Sequence, residues 1–588
     1  MKFRIIIVIS IVAFLGAVYA LFLHQSQESL LMYREQQQVF LLDADYIANL
    51  IRQPAGLSTL MAQWMIQYFN TPWAGAAITA LLVSLTGYLF WLSINSICHS
   101  LICLPLALLP VFLQGVYLTN MGNNYEGLTA LFLYSLAFYA YTLITGKTNY
   151  LLRLLTGCVL TVWLFLYAGS VATLFALSAL VYDVLQKHTR SFSSIAFSAI
   201  CFIFSAFYVS RGTIPGYDYA LWVKGYAQYY IETSAWLNLS WMSILVTLVI
   251  SWAVRQINIK RHIEMAVSIV IIGAFAFFIY WQTGNKTDKD FRTLAGLMNA
   301  INHEDWDSII ASPDLNTANY LHLNCLNLAL SHKGKMMTDL FRVPQKSAQS
   351  LLASYQAYND VNVLFSHIYY HTGIISESLC LSFGTMIATP NGNPSMLKLL
   401  VKERLILGDY DVAEKYIIRL ERTKSYHQWA TGMRRFLFND QAIVEDPELG
   451  MKRRSLPIDD HSFVVVDGVM ADLLKVISTH PQQTSAWEYA LGMLMLDKNM
   501  AGIKQLIEMP EFNPEIWNGI LPPLVQEAIV TYAENDVDYC TAHGVTSDTI
   551  ERFQIFRDLA LDARRNNRNQ QSALAQFRGS FWYYYMFT

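Results

Sequence analysis

Long apolar runs recur through the first half of the chain and restrict the folds open to it. A helix needs about 20 apolar residues to cross a bilayer. Nine runs approach or reach that length, covering residues 4–22, 73–92, 101–118, 128–145, 151–168, 171–185, 195–209, 239–254 and 263–281. Charged residues make up only 14% of the chain, whereas soluble domains carry roughly 25%. We therefore expect residues 1–282 to form an all-α, polytopic transmembrane helical bundle of about nine spans.

The positions of Lys and Arg predict the orientation of this bundle, because cytoplasmic loops are rich in these residues. If the N-terminus is inside, the inner segments hold Lys2, Arg4, Lys147, Arg153, Lys187, Arg190, Arg255, Lys260 and Arg261, and the outer loops hold only Arg34, Arg52, Arg211 and Lys224. The N-terminus is therefore expected inside and, after nine spans, the C-terminal part outside. We expect a bacterial inner-membrane protein with a periplasmic C-terminal domain. Residues 18–20 fit a signal-peptidase site, but we expect the first helix to be retained.

Several functional classes find no support in the sequence. The formal net charge of −3 gives no argument for nucleic-acid binding. The seven cysteines show no CxxC spacing that would indicate a metal or redox site. GxxxxGK[ST], HExxH and GxSxG motifs are also missing from the sequence. Histidines such as His332 and His367 are scattered, and we expect them to be structural or on the surface.

Residues 283–588 have the composition of an ordinary helical domain. Apolar periodicity predicts helix pairs, at 291–301 with 306–310, 396–407 with 410–420, and 486–496 with 501–507. The turn around Gly408, followed by Ala413, resembles the turn of a tetratricopeptide (TPR) hairpin, in which small residues let two helices pack closely. We expect a TPR-like helical-repeat domain, which typically binds peptides or proteins; a plain helical domain without a ligand is the alternative. The aromatic C-terminal end, 577–588, is expected to pack under the last repeat.

Residues 26–72 form the longest polar interruption between the apolar runs, and they carry Glu35, Asp43 and Asp45. Two short helices are predicted, at 43–52 and 57–68. In the second, an apolar face that includes Trp64 opposes a polar face that includes Gln63. Such a helix with few charges suits a membrane surface. If the protein does chemistry, we expect it in this outer loop.

The order of these elements resembles a known superfamily. An inside N-terminus is followed by one span, a long outer loop with two short surface helices, six spans, a second large outer loop and an outer soluble domain. This resembles the GT-C superfamily of membrane glycosyltransferases, which use polyprenyl-phosphate-linked sugars, over about residues 1–281 and at the level of topology. The chain has fewer spans than many members and no adjacent pair of acidic residues in this loop. It also looks like an uncharacterised family of Bacteroidota-type membrane proteins with a helical-repeat tail.

The resemblance implies an acidic catalytic residue in the first outer loop. Asp45, flanked by Asp43, is the candidate base that takes the proton of the acceptor hydroxyl. Glu35 is the alternative base, or a ligand for a divalent cation. Capping of the following helix is the plain alternative for Asp43 and Asp45. No cofactor is identified by the sequence itself.

Further residues in the predicted outer loops are candidates for substrate binding, and they are Arg34, Arg211, Lys224, Tyr217, Asn123, Asn124 and Glu126. The cations would stabilise the departing phosphate, and the other residues would supply polar or aromatic contacts. Each also has a plain explanation. Arg211 could anchor at lipid headgroups, Tyr217 could belong to an aromatic belt, and Asn123 with Asn124 could form a turn.

Two functions of different class follow from these observations. The first is an outer-face glycosyltransferase or oligosaccharyltransferase, which moves a sugar or glycan from a polyprenyl-phosphate carrier in the membrane lipid to an envelope acceptor such as a protein. The second is a non-enzymatic, membrane-anchored scaffold whose helical repeats bind an envelope protein. Nine spans are more than an anchor needs, which favours the enzyme. The near absence of charge within the spans disfavours an ion-coupled transporter.

Overall fold

A computed structural model describes most of the chain, namely residues 2–120, 123–145, 150–187, 191–226, 234–257, 260–282, 286–312, 319–354, 359–389, 392–456, 468–534 and 536–588. Within these ranges the regular structure is helical and contains no strand, as an all-α chain requires. The chain divides into an N-terminal unit, Met1–Arg292 with Arg422–Ser425, and a C-terminal unit, Thr293–Glu421 with Tyr426–Thr588.

The N-terminal unit is built from long apolar helices and a few short polar ones. They are α1 (Lys2–Ser26), α2 (Glu28–Gln36), α3 (Ala44–Ile51), α4 (Gly56–Ile66), α5 (Pro72–Asn95), α6 (Cys103–Leu118), α7 (Glu126–Thr145), α8 (Tyr150–Ala168), α9 (Val171–Leu185), α10 (Ile195–Ser210), α11 (Tyr217–Leu221), α12 (Ala235–Arg255) and α13 (Arg261–Gln282).

Six segments among the described residues are long and apolar enough to cross a membrane, and they are Ile5–Ser26, Trp73–Asn95, Glu126–Ile144, Tyr150–Ala168, Ser191–Ser210 and Ala235–Arg255. Shorter apolar helices, Cys103–Leu118, Val171–Leu185 and His262–Phe278, coincide with the other three predicted spans. The predicted multi-pass character is therefore supported, while the total of nine spans stays a prediction.

The predicted outer loops meet at one end of the N-terminal unit. Four hydrogen bonds join them. Arg34 donates to the carbonyl of Asn120 (2.9 Å), and the Ala55 amide donates to the carbonyl of Leu166 (3.2 Å). Oγ1 of Thr129 donates to the carbonyl of Ser58 (2.8 Å), and the Val171 amide donates to the Tyr226 hydroxyl (3.0 Å). The loops that follow α1, α6, α8 and α10 therefore lie on the same side of the bundle.

The alternate loops meet at the other end. Gln186 donates from Nε2 to the carbonyl of Ser96 (3.2 Å) and accepts at Oε1 from Arg255 (3.3 Å). The amide of Leu101 donates to Oε2 of Glu264 (3.3 Å). The connections after α1, α6, α8 and α10 lie at one end of the bundle, and those after α5, α9 and α12 lie at the other. Each long helix from α5 to α10 therefore runs the length of the bundle.

The helix α4 turns a different face to the bundle than its pattern predicts. It packs against α7 and α8, and the expected polar residue Gln63 is buried there, while Trp64 is 47% exposed. Oε1 of Gln63 accepts a hydrogen bond from the Tyr46 hydroxyl (2.5 Å). An indole such as that of Trp64 is favoured at a membrane interface, and a buried amide such as that of Gln63 needs hydrogen-bond partners. The observed orientation of α4 provides both.

A buried ion pair joins α8 and α9, although the spans are nearly free of charge. Nε of Arg153 lies 3.5 Å from Oδ2 of Asp183, and the two side chains are 3% and 0% exposed. The Tyr141 hydroxyl donates to the same carboxylate oxygen at 2.8 Å, and Ser194 also donates to it. The sequence alone gave no reason to expect this pair, since the two residues are 30 positions apart in separate runs.

The C-terminal unit consists of shorter helices, many of them consecutive hairpins. They are α14 (Lys286–Asn302, which begins before the unit), α15 (Trp306–Ile310), α16 (Tyr320–His332), α17 (Met336–Asp339), α18 (Asn359–Thr372), α19 (Ile375–Ala388), α20 (Pro394–Leu407), α21 (Tyr410–Glu421), α22 (His427–Met433), α23 (Asp440–Glu445), α24 (Pro447–Arg454), α25 (Val469–Thr479), α26 (Thr484–Leu496), α27 (Met500–Ile507), α28 (Pro523–Ala533), α29 (Val537–Ala542), α30 (Ser547–Arg565), α31 (Gln570–Ala573) and α32 (Phe581–Phe587).

The predicted helix pairs are present at their expected positions. The pair α20 and α21 turns at Gly408, which adopts the left-handed conformation with φ of 81°, and Ala413 is fully buried. Glycine adopts this conformation without a steric penalty, which suits the end of a helix. The pair α26 and α27 likewise pack together. These hairpins match the predicted elements, and their assignment to TPR-like repeats stays a prediction.

The aromatic C-terminal end packs inside the C-terminal unit, as expected. Phe581 and Trp582 are 0% and 2% exposed. The Trp582 indole donates to the carbonyl of Glu527 at 3.0 Å, and the Phe581 amide donates to the Glu527 carboxylate at 2.7 Å. Helix α32 is therefore part of the core.

We predict that Arg153→Met strongly destabilises the chain, because it leaves Asp183 as a buried carboxylate without its cation. Removing one member of a buried pair costs roughly 3–5 kcal/mol. The double variant Arg153→Met/Asp183→Asn should recover part of this loss. Thermal and denaturant unfolding of the purified full chain in detergent would measure both effects.

The matched control is Arg255→Met, since Arg255 is exposed and exposed substitutions usually change stability by about 0.5 kcal/mol or less. Equal stability of Arg153→Met and Arg255→Met would contradict a stabilising role for the buried pair.

Candidate functional site

Glu35 lies on α2, a short helix that the apolar pattern of the outer loop did not predict. This helix packs against α1, α4 and α5. Glu35 is 4% exposed, and its neighbour Arg34 is 6% exposed. Oε2 of Glu35 accepts a hydrogen bond from Gln36 at 2.7 Å. The loop therefore buries two consecutive residues of opposite charge, and each is held by polar partners.

Arg34 connects α2 to the loop between α6 and α7. Its Nη2 donates to the carbonyls of Leu118 and Asn120, at 2.5 and 2.9 Å. Its guanidinium lies 5.0 Å from the ring centroid of Tyr125. A cation over an aromatic face is stabilised by the ring quadrupole. We call Arg34, Glu35, Gln36, Asn120 and Tyr125 the α2 cluster.

The predicted residues Asn123, Asn124 and Glu126 lie in the same region. Asn123 donates from Nδ2 to the carbonyl of Tyr117 at 2.5 Å, so its amide is engaged with the backbone near the end of α6. Asn124 and Glu126 are half-buried, and Glu126 is the first residue of α7. The Tyr117 phenol lies within electrostatic reach of both Arg34 and Glu126. The fold thus brings two predicted outer loops, 26–72 and 119–127, into contact.

The two aspartates occupy ordinary positions at the start of α3. Oδ1 of Asp43 accepts from the amide of Tyr46 at 3.0 Å, which is an N-cap, and Oδ2 lies 2.9 Å from Arg422 of the same unit. Asp45 is exposed in the first turn of α3, where a negative charge favours the helix dipole. Capping therefore accounts for Asp43, the alternative raised by the sequence.

The remaining predicted binding residues, Arg211, Lys224 and Tyr217, lie near the end of α10 or in the segment that follows it. The guanidinium of Arg211 lies 4.3 Å from the ring centroid of Phe207. Nζ of Lys224 lies 2.7 Å from Oδ2 of Asp218, and this hydrogen bond lowers the pKa of the Asp218 carboxyl. Tyr217 is 53% exposed. These groups are accessible at the end of the bundle where the predicted outer loops meet.

A second polar site lies in the C-terminal unit, in a cavity of about 900 Å³. Its walls carry three lysines and three histidines, namely Lys398, Lys402, Lys452, His332, His367 and His371. From the sequence, His332 and His367 are expected to be structural or on the surface, and this site is not predicted. The sequence does contain a pattern that points to this site. Lys398 and Lys402 are four residues apart, as are His367 and His371, and that spacing puts each pair on one face of a helix.

Metal ligation gains no support at either site. Among the residues that the structure describes, no group of three or more His, Cys, Asp or Glu side chains is arranged to hold a metal ion. We therefore assign no chemistry of the site to a divalent cation.

We predict that Asp43→Ala and Asp43→Asn differ in their effect on α3. Alanine removes the cap and costs about 1 kcal/mol, whereas asparagine caps as well as aspartate. Hydrogen exchange of the amides of Tyr46 and Ile47 should therefore become roughly fivefold faster in Asp43→Ala and stay near the wild-type rate in Asp43→Asn. Equal acceleration in both variants would assign the role to the negative charge instead.

Comparison with known proteins adds one assignment. No curated protein and no solved structure matches the chain. A family model described as a family of unknown function, DUF6057, matches residues 2–588, which includes both units. The chain therefore belongs to the DUF6057 family.

Proposed function

We propose that the N-terminal unit is an outer-face membrane glycosyltransferase or oligosaccharyltransferase that resembles the GT-C superfamily. It would move a sugar or glycan from a polyprenyl-phosphate carrier to an envelope acceptor. The observation that carries this proposal is the buried pair of Arg34 and Glu35 on the first helix of the outer loop. A structural anchor needs no buried carboxylate there, and burying one is costly.

The topology that we propose has nine spans, an inside N-terminus and a periplasmic C-terminal unit in a bacterial inner membrane. It is supported by the loop contacts at the two ends of the bundle. The predicted outer loops contact one another at one end, and the predicted inner loops contact one another at the other end. It is also supported by the three shorter apolar helices, which coincide with predicted spans. In this topology the α2 cluster lies on the outer side, where a lipid-linked donor would present its phosphate.

In the proposed reaction, Glu35 takes the proton of the acceptor hydroxyl. The acceptor oxygen forms a bond to the sugar carbon, the bond from that carbon to the carrier phosphate breaks, and the carrier leaves as a phosphate anion. A buried carboxylate is a suitable base because water does not compete for it. Arg34 precedes Glu35 in the chain and is always positively charged, and such a charge stabilises a departing phosphate.

The exposures of the acidic residues favour Glu35 over Asp45 as the base. Asp45 is exposed, so solvent would hydrate its carboxylate. Asp43 is already engaged as a cap and an ion pair. Arg211 and Lys224 remain candidates for holding the carrier phosphate at the bilayer surface, where their side chains are accessible.

The alternative is a membrane-anchored scaffold in which the C-terminal unit binds an envelope protein. The helix hairpins α20–α21 and α26–α27 favour this alternative, because stacked hairpins commonly present a surface for peptides. The two functions are compatible in one chain, since such a unit could present a protein acceptor to the membrane site.

The experiment is glycan profiling of envelope proteins and polysaccharides in a strain that lacks the gene and is complemented with variants. We expect Glu35→Gln to lower transfer by roughly 100-fold or more, because a general base contributes at least that factor. Asp45→Asn should restore the wild-type profile.

The matched control is Glu28→Gln, the same substitution on the same helix at a side chain that is 45% exposed. Membrane levels and melting temperatures of all variants show whether each protein folds. A deletion strain with unchanged glycans, or a Glu35→Gln variant that restores them fully, would reject the proposed reaction.

A further inference from the structure

The cavity in the C-terminal unit has the size of a ligand site. Its volume is about 900 Å³, within the usual range of roughly 300–1,000 Å³ for small-molecule pockets. Helices α16, α18, α20, α24 and α26 contribute its walls, together with residues 516–523. Its lining combines polar and apolar side chains in about equal measure, and the polar ones distinguish it from a packing defect between apolar helices.

Three lysines from two helices face this cavity. Lys398 and Lys402 lie one turn apart on α20, and Lys452 comes from α24. Lys452 is only 3% exposed, and its Nζ donates to the carbonyl of His371 at 2.5 Å. Burial lowers the pKa of this amine to about 7, although Glu448 acts in the opposite direction. The fold therefore holds an amine in a place that penalises its charge.

Three carboxylates line the same cavity. Glu448 is engaged by Lys402, at 2.8 and 2.9 Å, and by the Tyr370 hydroxyl at 2.8 Å. Burial raises the pKa of Glu488 to about 8, so this group is mostly neutral at pH 7. Three lysines and two further carboxylates, Glu304 and Glu448, therefore share the wall, and Lys452 carries its full positive charge only below its pKa of about 7.

An aromatic wall lies beside these charges. Trp306, His332 and His371 stack in sequence, with ring centroids 3.9 and 3.8 Å apart. Nε2 of His371 lies 2.8 Å from Oγ of Ser331. Burial lowers the pKa of His371 well below its ordinary value, so its ring stays neutral near pH 7.

We propose that this cavity binds a small organic anion, with a carboxylate or phosphate group held by Lys452 and Lys398 and the body of the ligand against the aromatic wall. Lysines are cationic donors suited to an oxyanion, and the stacked rings offer a flat surface to the rest of the ligand. The proposal rests on the C-terminal unit alone. It can therefore hold or fail independently of glycosyl transfer at α2.

The test uses the full chain in detergent and three probes with the same sugar body, glucose 1-phosphate, glucuronate and glucose. Calorimetric titration should show binding of at least one anion at least tenfold tighter than that of glucose. The phosphate and carboxylate arms identify which oxyanion the site prefers. Binding of glucose as tight as that of both anions, or no binding of any probe, would overturn the proposal.

Two substitutions locate the site. Lys398→Gln and Lys452→Met should each weaken binding of the preferred anion at least tenfold. The control Lys504→Gln changes a lysine on α27 whose side chain is 53% exposed and should leave affinity unchanged. If Lys452→Met does not fold, as judged by its melting temperature, Lys398→Gln decides alone, and wild-type affinity in that variant rejects the site.

The affinity for glucuronate should fall up to about tenfold between pH 6 and pH 8. Lys452 loses its proton over this interval because its pKa lies near 7, and Glu488 gains negative charge as pH passes its pKa of about 8. Both changes weaken the binding of an anion. Burial lowers the pKa of His332 and His367 to about 3 and that of His371 well below its ordinary value, so these three rings stay neutral in this range. Lys398, Lys402, Glu304 and Glu448 also face the cavity. A glucuronate affinity that rises with pH would contradict the role of Lys452.

Discussion

The attachment of Arg34 to the loop after α6 is the contact on which the outer end of the N-terminal unit depends. One guanidinium donates to two backbone carbonyls and lies over the Tyr125 ring. Carbonyls at the end of a helix have no partner within it, so the arginine satisfies groups that an apolar bundle would leave unpaired. Because Arg34 is on α2, the same contact holds Glu35 in a buried position. The hydrogen bonds that satisfy the carbonyl groups at the end of α6 therefore also hold the candidate site in place.

Buried charge is compensated in different ways in the two units. In the N-terminal unit, Arg153 and Asp183 neutralise each other between apolar helices, which is the arrangement expected where a lone ion is very costly. In the C-terminal unit, Lys452 is buried with a carbonyl and an aromatic ring for partners, and Glu488 is favoured in its neutral form. Fully paired charges maintain a structure, whereas partly compensated ones near a cavity are suited to bind a ligand. This contrast separates the structural pair from the proposed anion site.

Local sequence patterns predicted the boundaries of the helices closely, but they predicted the candidate site only in part. Apolar runs and helix pairs predicted the long helices and the hairpins around Gly408, because length and periodicity act within one segment. Helix α2 was missed because residues 28–36 lack apolar periodicity, and its stability comes from packing against three other helices. Asp43 and Asp45 are candidates because they lie in the first predicted outer loop, while burial, which favours Glu35, depends on neighbours remote in sequence.

The sequence by itself determined that this chain is all-α, rich in candidate membrane helices and followed by a helical domain of ordinary composition, since hydrophobicity and helical periodicity are local properties. Only the tertiary structure decided which charges are buried and which groups face each other. Arg34 reaches Asn120, Arg153 pairs with Asp183, and α20 and α24 bring three lysines to one cavity. These contacts join residues tens of positions apart, and no pattern within a single segment can encode the packing that brings them together.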